Sequence, residues 1–383
     1  MFTMNHEIII IGGGASALML ASLLPSNVAT IIESNAKLGA KILISGGGKC
    51  NITNADMGEK YFLGNPYFIS QCLNAFTQKS LLSWLEGQNL FPVLRKNTQY
   101  FCEHTSKELL DIFTRKSKKQ KVFMEEQVVL VKKREGHFMV TTNKRTLTSK
   151  YVIVASGGLS FPKLGATSIG YDIAESFGHT IMKTAPALVG FTVQKEQFFL
   201  KELSGASCDV TIRINEHKCK GALLFAHKGL SGPAVLDASL YWEKGQIEID
   251  FLPNFSWDGI KGSKKQISSL LPLSKRITKT FLVQLELKDK PFSQITSKEL
   301  DKLKMLNHYI FAPAGTFGYS KAEVTKGGVC TDEVDSKTMM SKKIEGLYFM
   351  GEVLDVTGRL GGYNFQWAFS SAYAVYKDIK GKV

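Results

Sequence analysis

The chain begins with a continuous apolar strand that runs directly into a glycine turn. Residues Glu7 to Ile11 predict the strand, Gly12 to Ala17 the turn, and the helical pattern that follows extends through Leu24. Residues Val28 to Ile32 predict a second strand, which Glu33 ends. In a parallel α/β sheet, such a turn lets the backbone approach a pyrophosphate, the helix N-terminus attracts its charge, and the acid accepts from a ribose hydroxyl. This opening therefore predicts a βαβ nucleotide-binding fold.

Two further glycine clusters fit the same fold. Three consecutive glycines, Gly46 to Gly48, are too permissive for a packed helix or strand, and they indicate a loop wrapped closely around a ligand. Residues Tyr151 to Ala155 predict a buried strand that runs into Ser156-Gly157-Gly158. In a doubly wound sheet, such a returning strand again reaches the cofactor at its carboxyl end.

The C-terminal stretch predicts a second nucleotide element. Residues Gly346 to Glu352 form a strand entering a glycine turn, Asp355 follows, and Gly361 to Asn364 open a helical pattern from Phe365 to about Ile379. In dinucleotide-binding flavoproteins, a late strand with a Gly-Glu or Gly-Asp end supplies an acid for the ribityl chain, and the next helix points its positive N-terminus at the flavin pyrimidine ring. This element favours FAD over NAD as the bound cofactor.

The middle of the chain has a different pattern. From about Leu188, short strands alternate with turns, and residues 256–307 then become mostly helical and basic. The pattern predicts a helical insert within an inserted β domain. The elements predicted between the two nucleotide elements are helices at 80–88, 264–271, 273–285 and 297–305, and strands at 122–131, 137–142, 191–193, 208–214, 222–225, 246–251 and within 316–331.

The net charge of +14 comes from 48 lysines and arginines against 34 carboxylates, and it is concentrated in two segments. Residues 115–150 carry 11 basic and 3 acidic side chains, and residues 256–304 carry 11 and 5. Each run taken alone also has an ordinary interpretation as a solvated face. Two such segments together favour an anionic partner such as nucleic acid.

The remaining composition argues against several classes of protein. The six cysteines include no C-x-x-C pair, and the histidines do not bunch near them, which favours a reducing cytoplasm and argues against a metal site. The apolar run Ile8 to Ile11 is far shorter than the roughly 20 residues that span a bilayer. The sequence therefore predicts no signal peptide, no membrane anchor and a cytoplasmic location.

Five motifs together resemble one known family. They are the glycine turn Gly12 to Ala17, ILISGGGKCNITN (42–54), ASGGLSFPKLGATSIGYDIAESFGHTI (155–181), LLFAHKGLSGPAVL (223–236) and the long stretch 324–373. In this order they resemble the YhiN/BaiN-type FAD-dependent oxidoreductases over nearly the whole chain. The resemblance implies an α/β fold with a Rossmann-like, glutathione-reductase-like FAD-binding domain and an inserted β-barrel domain that carries a helical subdomain. The boundaries expected are 1–188 and 334–383 for the FAD-binding domain, 189–255 and 316–333 for the barrel, and 256–315 for the helical subdomain.

The resemblance also implies a set of cofactor-binding residues and a transient reductant. NADH or NADPH is expected to bind only as a substrate, because the chain has no second clear G-x-G-x-x-G motif. The FAD-binding residues that the resemblance implies are Gly12, Gly14, Ala15, Ser16, Glu33, Lys41, Ser45, Gly46, Gly47, Gly157, Gly351, Asp355, Gly362, Tyr363 and Asn364.

Two substrates are open for such an enzyme. The family is associated with reduction of uridine to dihydrouridine in large-subunit ribosomal RNA, and with reduction of a carbonyl-conjugated C=C bond in small steroid-like molecules. Both reactions transfer a hydride from reduced flavin and need an acid for the adjacent carbon. The two basic segments favour ribosomal RNA as the partner, since an apolar steroid acid needs no excess of cations. A flavoprotein that only binds RNA, and a membrane-associated dehydrogenase, are further alternatives.

Two residues are candidates for catalysis. Cys50 adjoins the triple-glycine loop, where a thiol is placed either to protonate a uracil carbon or simply to pack beneath the loop. His227 lies in a turn-rich motif of the insert, where it either faces the flavin or pins the turn. Tyr363 and Asn364 are candidates for hydrogen bonds to flavin or uracil, whereas Trp367 and Phe369 are expected in the helix core.

Overall fold

The computed structural model describes residues 5–383, which divide into two compact units. The first unit contains the described residues up to Ala185 together with Val324–Val383, and the second contains Pro186–Glu323. The strands are β1 Asn5–Ile11, β2 Ala29–Ile32, β3 Asn51–Asn54, β4 Phe62–Leu63, β5 Val93–Arg95, β6 Gln99–Phe101, β7 Lys121–Phe123, β8 Val128–Arg134, β9 His137–Thr142, β10 Thr146–Val154, β11 Ile181–Ala187, β12 Phe191–Val193, β13 Ser207–Ile214, β14 His217–Ala226, β15 Gly229–Ser231, β16 Ile247–Asp250, β17 Tyr309–Phe311, β18 Pro313–Thr316, β19 Val324–Val329, β20 Leu347–Phe349 and β21 Thr357–Gly358. The helices are α1 Ala15–Leu23, α2 Ala40–Ile44, α3 Pro66–Ala75, α4 Gln78–Glu86, α5 Lys107–Ser117, α6 Ile169–Ser176, α7 Pro233–Tyr241, α8 Lys275–Gln284, α9 Ser297–Lys304 and α10 Tyr363–Ile379.

The main sheet of the first unit has the order β7-β2-β1-β10-β9-β8, and β20 pairs with β10. Strands β7, β2, β1, β10 and β20 run parallel to one another. Strand β9 pairs antiparallel with β10 on one side and with β8 on the other. Residues Ile8 to Ile11 are at most 3% exposed, because a central parallel strand is covered on both faces. This explains why β1 is a continuous apolar run and confirms the Rossmann-like core.

One predicted strand is two strands in the structure. Residues 122–131 were expected to form a single strand, but β7 and β8 lie at opposite edges of the main sheet. Between them Glu125 adopts a left-handed φ of 52°, and the buried Glu126 carboxylate accepts from Thr142 Oγ1 at 2.7 Å. Apolar patterning could not reveal this crossing, because both halves have the residue types of a strand.

The second unit is built on an antiparallel sheet with the order β17-β16-β13-β14-β15-β12-β18. The two end strands, β17 and β18, are separated in the chain only by Ala312, so the two ends of the path lie close together. A separate apolar cluster fills this unit, and α8 contributes Ile277 and Phe281 to it. The closed β-barrel with a helical subdomain, which the resemblance implies for this unit, stays a prediction.

The helical part of the second unit has two of the three expected helices. Residues 273–285 and 297–305 contain α8 and α9, but residues 264–271 form only one short turn at Ile267–Ser269. The backbone N–H and the Oγ of Ser268 donate to the two carboxylate oxygens of Asp289 at 3.0 and 2.6 Å. A serine that satisfies its polar groups in this way competes with a regular helix.

The predicted domain limits and the compact units differ at one boundary in particular. Residues 324–333 were expected in the insert, but the structure places them in the first unit. Their strand β19 pairs with β11, and the main-chain N–H of Asp355 donates to Val329 O at 2.9 Å. These contacts hold the segment beside the C-terminal part of the chain.

Among residues 5–383, no helix combines the length and the hydropathy needed to cross a membrane. Within the same residues, no three His, Cys, Asp or Glu side chains cluster in a way that suits a metal ion.

Candidate functional site

The first glycine turn lies between the carboxyl ends of two adjacent strands. Gly12 has a φ of 101°, and a Cβ atom added there would lie 2.6 Å from the carbonyl oxygen of Ala155. Gly14 is the residue before α1, and no side chain caps the helix there. No atom lies within 4 Å of a Cβ built on Gly14. The first N–H groups of α1, from Ala15 and Ser16 onward, therefore have no side-chain cap, which is the arrangement that suits an anion at a helix N-terminus.

Glu33 closes this turn from the end of β2. Its Oε2 accepts from the main-chain N–H of Gly13 at 2.6 Å, and its Oε1 accepts from the N–H of Asn35 at 2.7 Å. The side chain is only 8% exposed. These hydrogen bonds hold the carboxylate beside the glycine turn, where the βαβ pattern expects an acceptor for a ribose hydroxyl.

The triple-glycine loop adopts a backbone that needs glycine. Gly46, Gly47 and Gly48 have φ values of 56°, 66° and 83°, all in the left-handed region. No atom lies within 4 Å of a Cβ built on Gly47 or Gly48, so the loop leaves room on that side for a ligand. Ser45 is placed at the start of this loop and donates from Oγ to Ile42 O at 2.7 Å.

An ion pair links two distant parts of the chain at this site. Lys41 Nζ lies 2.7 Å from Glu352 Oε2, and Glu352 Oε1 accepts from the main-chain N–H of Thr325 at 2.9 Å. A Cβ added at Gly158 would lie 2.9 Å from the same carboxylate. Lys41 is among the predicted cofactor residues, whereas Glu352 and Thr325 are not. The Gly-Glu pair at the end of β20 was the available signal for Glu352.

Trp367 fixes the turn that carries Gly351. The Gly351 carbonyl accepts from Trp367 Nε1 at 3.0 Å, and the Gly351 N–H donates to Ser371 Oγ at 3.0 Å. Trp367 is 1% exposed and Phe369 is fully buried, which confirms their expected place in the helix core. Nearby, burial raises the pKa of the Asp355 carboxyl.

The N-terminus of α10 packs tightly against β3. Gly362 has a φ of 92°, and a Cβ added there would lie 2.6 Å from the carbonyl group of Thr53. The Tyr363 ring stacks on Tyr61 with centroids 4.9 Å apart. Asn364 accepts from the Gly358 N–H at 2.9 Å and donates to its carbonyl at 2.8 Å. The Asn364 amide is thus engaged by the protein's own backbone, and Tyr363 belongs to an aromatic stack.

Cys50 lies beneath the glycine loop and has no exposed surface. It directly precedes β3, whose Asn51 pairs with Phe101 of β6, and this register brings Cys50 beside the buried Cys102. A hydrogen bond with the Cys102 thiol, together with burial, raises the pKa of the Cys50 thiol well above its ordinary value. A ligand bound at the loop would bury further protein surface, and the Cys50 thiol would stay buried. This geometry favours the packing interpretation of Cys50 over the proton-donor one.

His227 lies in the second unit, in the tight turn between β14 and β15. It is exposed, as is Lys228. Gly229 follows with a φ of 150°, and a Cβ there would lie 2.1 Å from the Phe191 carbonyl oxygen. The turn is therefore shaped by Gly229, and the role of His227 toward a flavin stays a prediction.

The geometry of the first unit fits a dinucleotide. The uncapped N-terminus of α1, the held carboxylate of Glu33 and the open side of Gly14, Gly47 and Gly48 are the features that a pyrophosphate, a ribose and a closely approaching cofactor require. Gly157 lies with a φ of 73° at the carboxyl end of β10, beside the Glu352 carboxylate. A Rossmann-like sheet with these features is typical of dinucleotide-binding proteins.

The comparisons with known proteins identify the family. The model of the HI0933-like protein Rossmann domain matches residues 6–378, so the chain belongs to this family of flavin-dependent oxidoreductases. It is 39% identical to a ribosomal RNA dihydrouridine synthase of Haemophilus influenzae, over 97% of this chain and 98% of that protein. It is 29% identical to a 3-dehydro-bile acid delta(4,6)-reductase of Clostridium scindens, over 96% of this chain and 97% of that protein.

A solved structure shows the same fold at low identity. A single-site variant of the E. coli quinol fumarate reductase subunit FrdA superposes with a TM-score of 0.54 and is 13% identical. The alignment covers all of this chain and 71% of that one. This likeness concerns the fold alone.

Proposed function

We propose that this enzyme reduces uridine to 5,6-dihydrouridine in 23S ribosomal RNA, with FAD as its cofactor and NADH or NADPH as the reductant. The observation that carries the proposal is the end-to-end similarity to a ribosomal RNA dihydrouridine synthase. The two basic segments support it, since they supply the cations that neutralise phosphates. Among their exposed side chains are Lys132 and Arg134 on the edge strand β8, and Lys264, Lys265 and Lys275 in the second unit.

The cofactor would be held by the residues of the first unit. The α1 N-terminus, through Gly14, Ala15 and Ser16, would bind the pyrophosphate, and Glu33 would accept from a ribose hydroxyl. Asp355 would accept from a ribityl hydroxyl, which would stabilise the charged form that burial disfavours. The remaining predicted contacts are Gly12, Lys41, Ser45, Gly46, Gly47, Gly157, Gly351, Gly362, Tyr363 and Asn364.

The chain's own residues would stabilise charge and orient groups in the site for this reduction. When bound, FAD supplies the hydride that reduces the C=C bond. The helix α10 would direct its positive N-terminus at the cofactor and would stabilise negative charge near Gly362. The Lys41–Glu352 ion pair, only partly exposed, holds the carboxylate against the Gly157–Gly158 turn and orients this wall of the site.

The decisive experiment maps dihydrouridine in ribosomal RNA from cells with and without the gene. We expect deletion to remove one or more dihydrouridines and the wild-type gene to restore them. We also expect the Cys50→Ala variant to restore them within about threefold, because removing a small buried thiol costs little beyond its packing. An unchanged rRNA pattern after deletion would contradict the proposal, and loss of product with FAD retained in Cys50→Ala would restore the proton-donor interpretation.

The second candidate function is reduction of a small enone. Its support is the 29% identity to the bile acid reductase over nearly the whole chain. In stopped flow, an enone acid would then oxidise the pre-reduced enzyme, while RNA would have no effect.

If the rRNA pattern is unchanged and RNA still binds, the chain is a flavoprotein that binds RNA without modifying it.

Charge reversal in the second unit tests the RNA contact separately. The exposed side chains chosen are Lys264, Lys265 and Lys275. Arg276 is left unchanged because its guanidinium donates to the carbonyls of Ser204 and Glu202 within the same unit. We therefore expect the triple variant Lys264→Glu, Lys265→Glu, Lys275→Glu to bind RNA more weakly, with a salt dependence reduced by about 1 for each lost phosphate contact. Bound FAD should be unchanged. RNA binding equal to wild type at every salt concentration would exclude this surface.

A further inference from the structure

A groove in the second unit is lined by none of the predicted cofactor residues. Its volume is ≈ 380 Å³, and its lining carries two cations, Arg213 and Lys304, one carboxylate, Asp250, and the side chains of Phe255, Trp257, Asn307 and His308. We propose that this groove binds one unpaired nucleotide of the RNA substrate, with the base stacked on the Trp257 wall and the phosphate held by Arg213 and Lys304. This inference rests on the proposed function for the identity of the ligand.

The aromatic wall of the groove is held in place from behind. The rings of Phe255 and Trp257 meet edge to face with centroids 5.1 Å apart, and Trp257 stacks on Phe292 at 6.3 Å. Trp257 Nε1 donates to Asn307 Oδ1 at 2.9 Å, and Asn307 Nδ2 donates to Asp250 Oδ1 at 3.0 Å. These contacts fix the indole, so stacking a base on it costs little side-chain entropy.

Both rings keep part of their surface open. Phe255 and Trp257 are only half-buried, although they lie beside an apolar core that covers other aromatic side chains completely. Base stacking on an aromatic side chain contributes about 1–3 kcal/mol by alanine substitution and tolerates any base. A fixed, partly open indole is thus suited to an unstacked base.

The cations at the groove point to a phosphate. Arg213 donates from one nitrogen to Glu248 at 2.7 Å, and another lies 3.7 Å from Asp250. These acids orient the guanidinium and offset its charge. Lys304 is exposed and has no ion-pair partner within the described residues. His308 Nδ1 lies 3.2 Å from Glu248 and leaves the ring 68% exposed at the rim.

The size of the groove favours a single nucleotide over a duplex. Small-molecule sites have volumes of about 300–1,000 Å³, and this groove falls near the lower end of that range. Proteins recognise single-stranded RNA by stacking unpaired bases on aromatic rings, whereas a duplex keeps its bases stacked on each other. The surrounding segment 256–304, with a net charge of +6, supplies the wider attraction for the RNA backbone.

The test uses the FAD-loaded full chain and a fluorescently labelled single-stranded RNA of mixed sequence, with affinity measured by fluorescence anisotropy. We expect Trp257→Ala to raise the Kd at least about fivefold, the lower end of the stacking range. Trp257→Phe, which keeps an aromatic face, should stay within about threefold of wild type. A duplex RNA of equal length should show little difference between the two variants.

A second variant keeps the test decisive if Trp257→Ala does not fold. Lys304→Glu changes an exposed side chain, and we expect it to weaken binding and to lower the salt dependence by about 1. Its matched control is Lys195→Glu, which reverses an exposed lysine of the same unit outside the groove and both basic segments. The proposal is overturned if Trp257→Ala or Lys304→Glu, in folded form, binds single-stranded RNA like wild type.

The same variants separate failure of this inference from failure of the proposed function. If Trp257→Ala restores dihydrouridine in deleted cells and binds RNA normally, the groove has no such role and the proposed function stands. If the deletion leaves rRNA unchanged while Trp257→Ala loses RNA affinity, the groove binds RNA and the proposed reaction is wrong.

Discussion

Replacing Gly12 with alanine should remove FAD and destabilise the protein by about 2–4 kcal/mol. The added methyl group would lie 2.6 Å from the Ala155 carbonyl oxygen, and the φ of 101° is unfavourable for any residue with a Cβ atom. Because β1 and β10 are adjacent in the sheet, relief of this contact would displace a strand end. The free energy of unfolding of the apoprotein and the visible absorbance of bound flavin measure the two effects.

Two other glycines serve as matched controls for Gly12→Ala. Gly14→Ala should leave the stability of the apoprotein unchanged but weaken FAD binding, because its methyl group would extend into open space before the α1 N-terminus. Gly58→Ala should change neither quantity, since Gly58 has an extended backbone with no atom near its added Cβ. Equal stability of Gly12→Ala and Gly58→Ala would contradict the close approach of β1 and β10.

Removal of the Trp367 side chain should have the largest effect on stability. We expect Trp367→Ala to reduce the free energy of unfolding by about 3–5 kcal/mol, because the indole is 1% exposed and packs near Phe68 in the core. It should also lower FAD affinity, since the Gly351 carbonyl loses the indole N–H that holds its turn in place. Denaturant unfolding and flavin retention provide the measurements.

The conservative variant separates packing from hydrogen bonding. Trp367→Phe retains most of the ring volume but leaves the buried Gly351 carbonyl without the indole donor, so a loss of about 1–3 kcal/mol is expected. Phe91→Ala is the surface control, because this ring is 64% exposed, and it should change stability by less than about 0.5 kcal/mol. A loss in Trp367→Ala no larger than in Phe91→Ala would be incompatible with this core.

Much of the nucleotide-binding core could be predicted from local pattern. The predicted strand from Glu7 and the predicted helix end at Leu24 lie within one or two residues of the limits of β1 and α1, although α1 begins at Ala15, inside the predicted turn. The helix expected from Phe365 begins at Tyr363. These elements were predictable because each has a period or a glycine requirement that is visible in adjacent residues. The split of residues 122–131 and the single turn at 264–271 were not, since they depend on strand order and on a Ser268–Asp289 contact across 21 residues.

The candidate site shows the same division. The sequence predicted Lys41 and Glu33, but it could not predict the pairing of Lys41 with Glu352, because these side chains meet at 2.7 Å across 311 residues of the chain. Cys50 illustrates the reverse case, because its position after a glycine loop suggested chemistry while its complete burial beside Cys102 favours packing. Exposure is a property of the whole fold and is not encoded in neighbouring residues.

Local pattern in the sequence was enough to predict a glycine turn at a strand end, an acid 21 residues after Gly12 and an excess of positive charge concentrated in two segments. These features are local, because backbone freedom, helix termini and side-chain charge are set within a few residues. The folded chain was needed to show which carboxylate pairs with Lys41, which thiols are buried and which aromatic rings line the groove at Trp257. Those outcomes depend on distances between residues that are remote in the chain, and the packing of the folded units sets those distances.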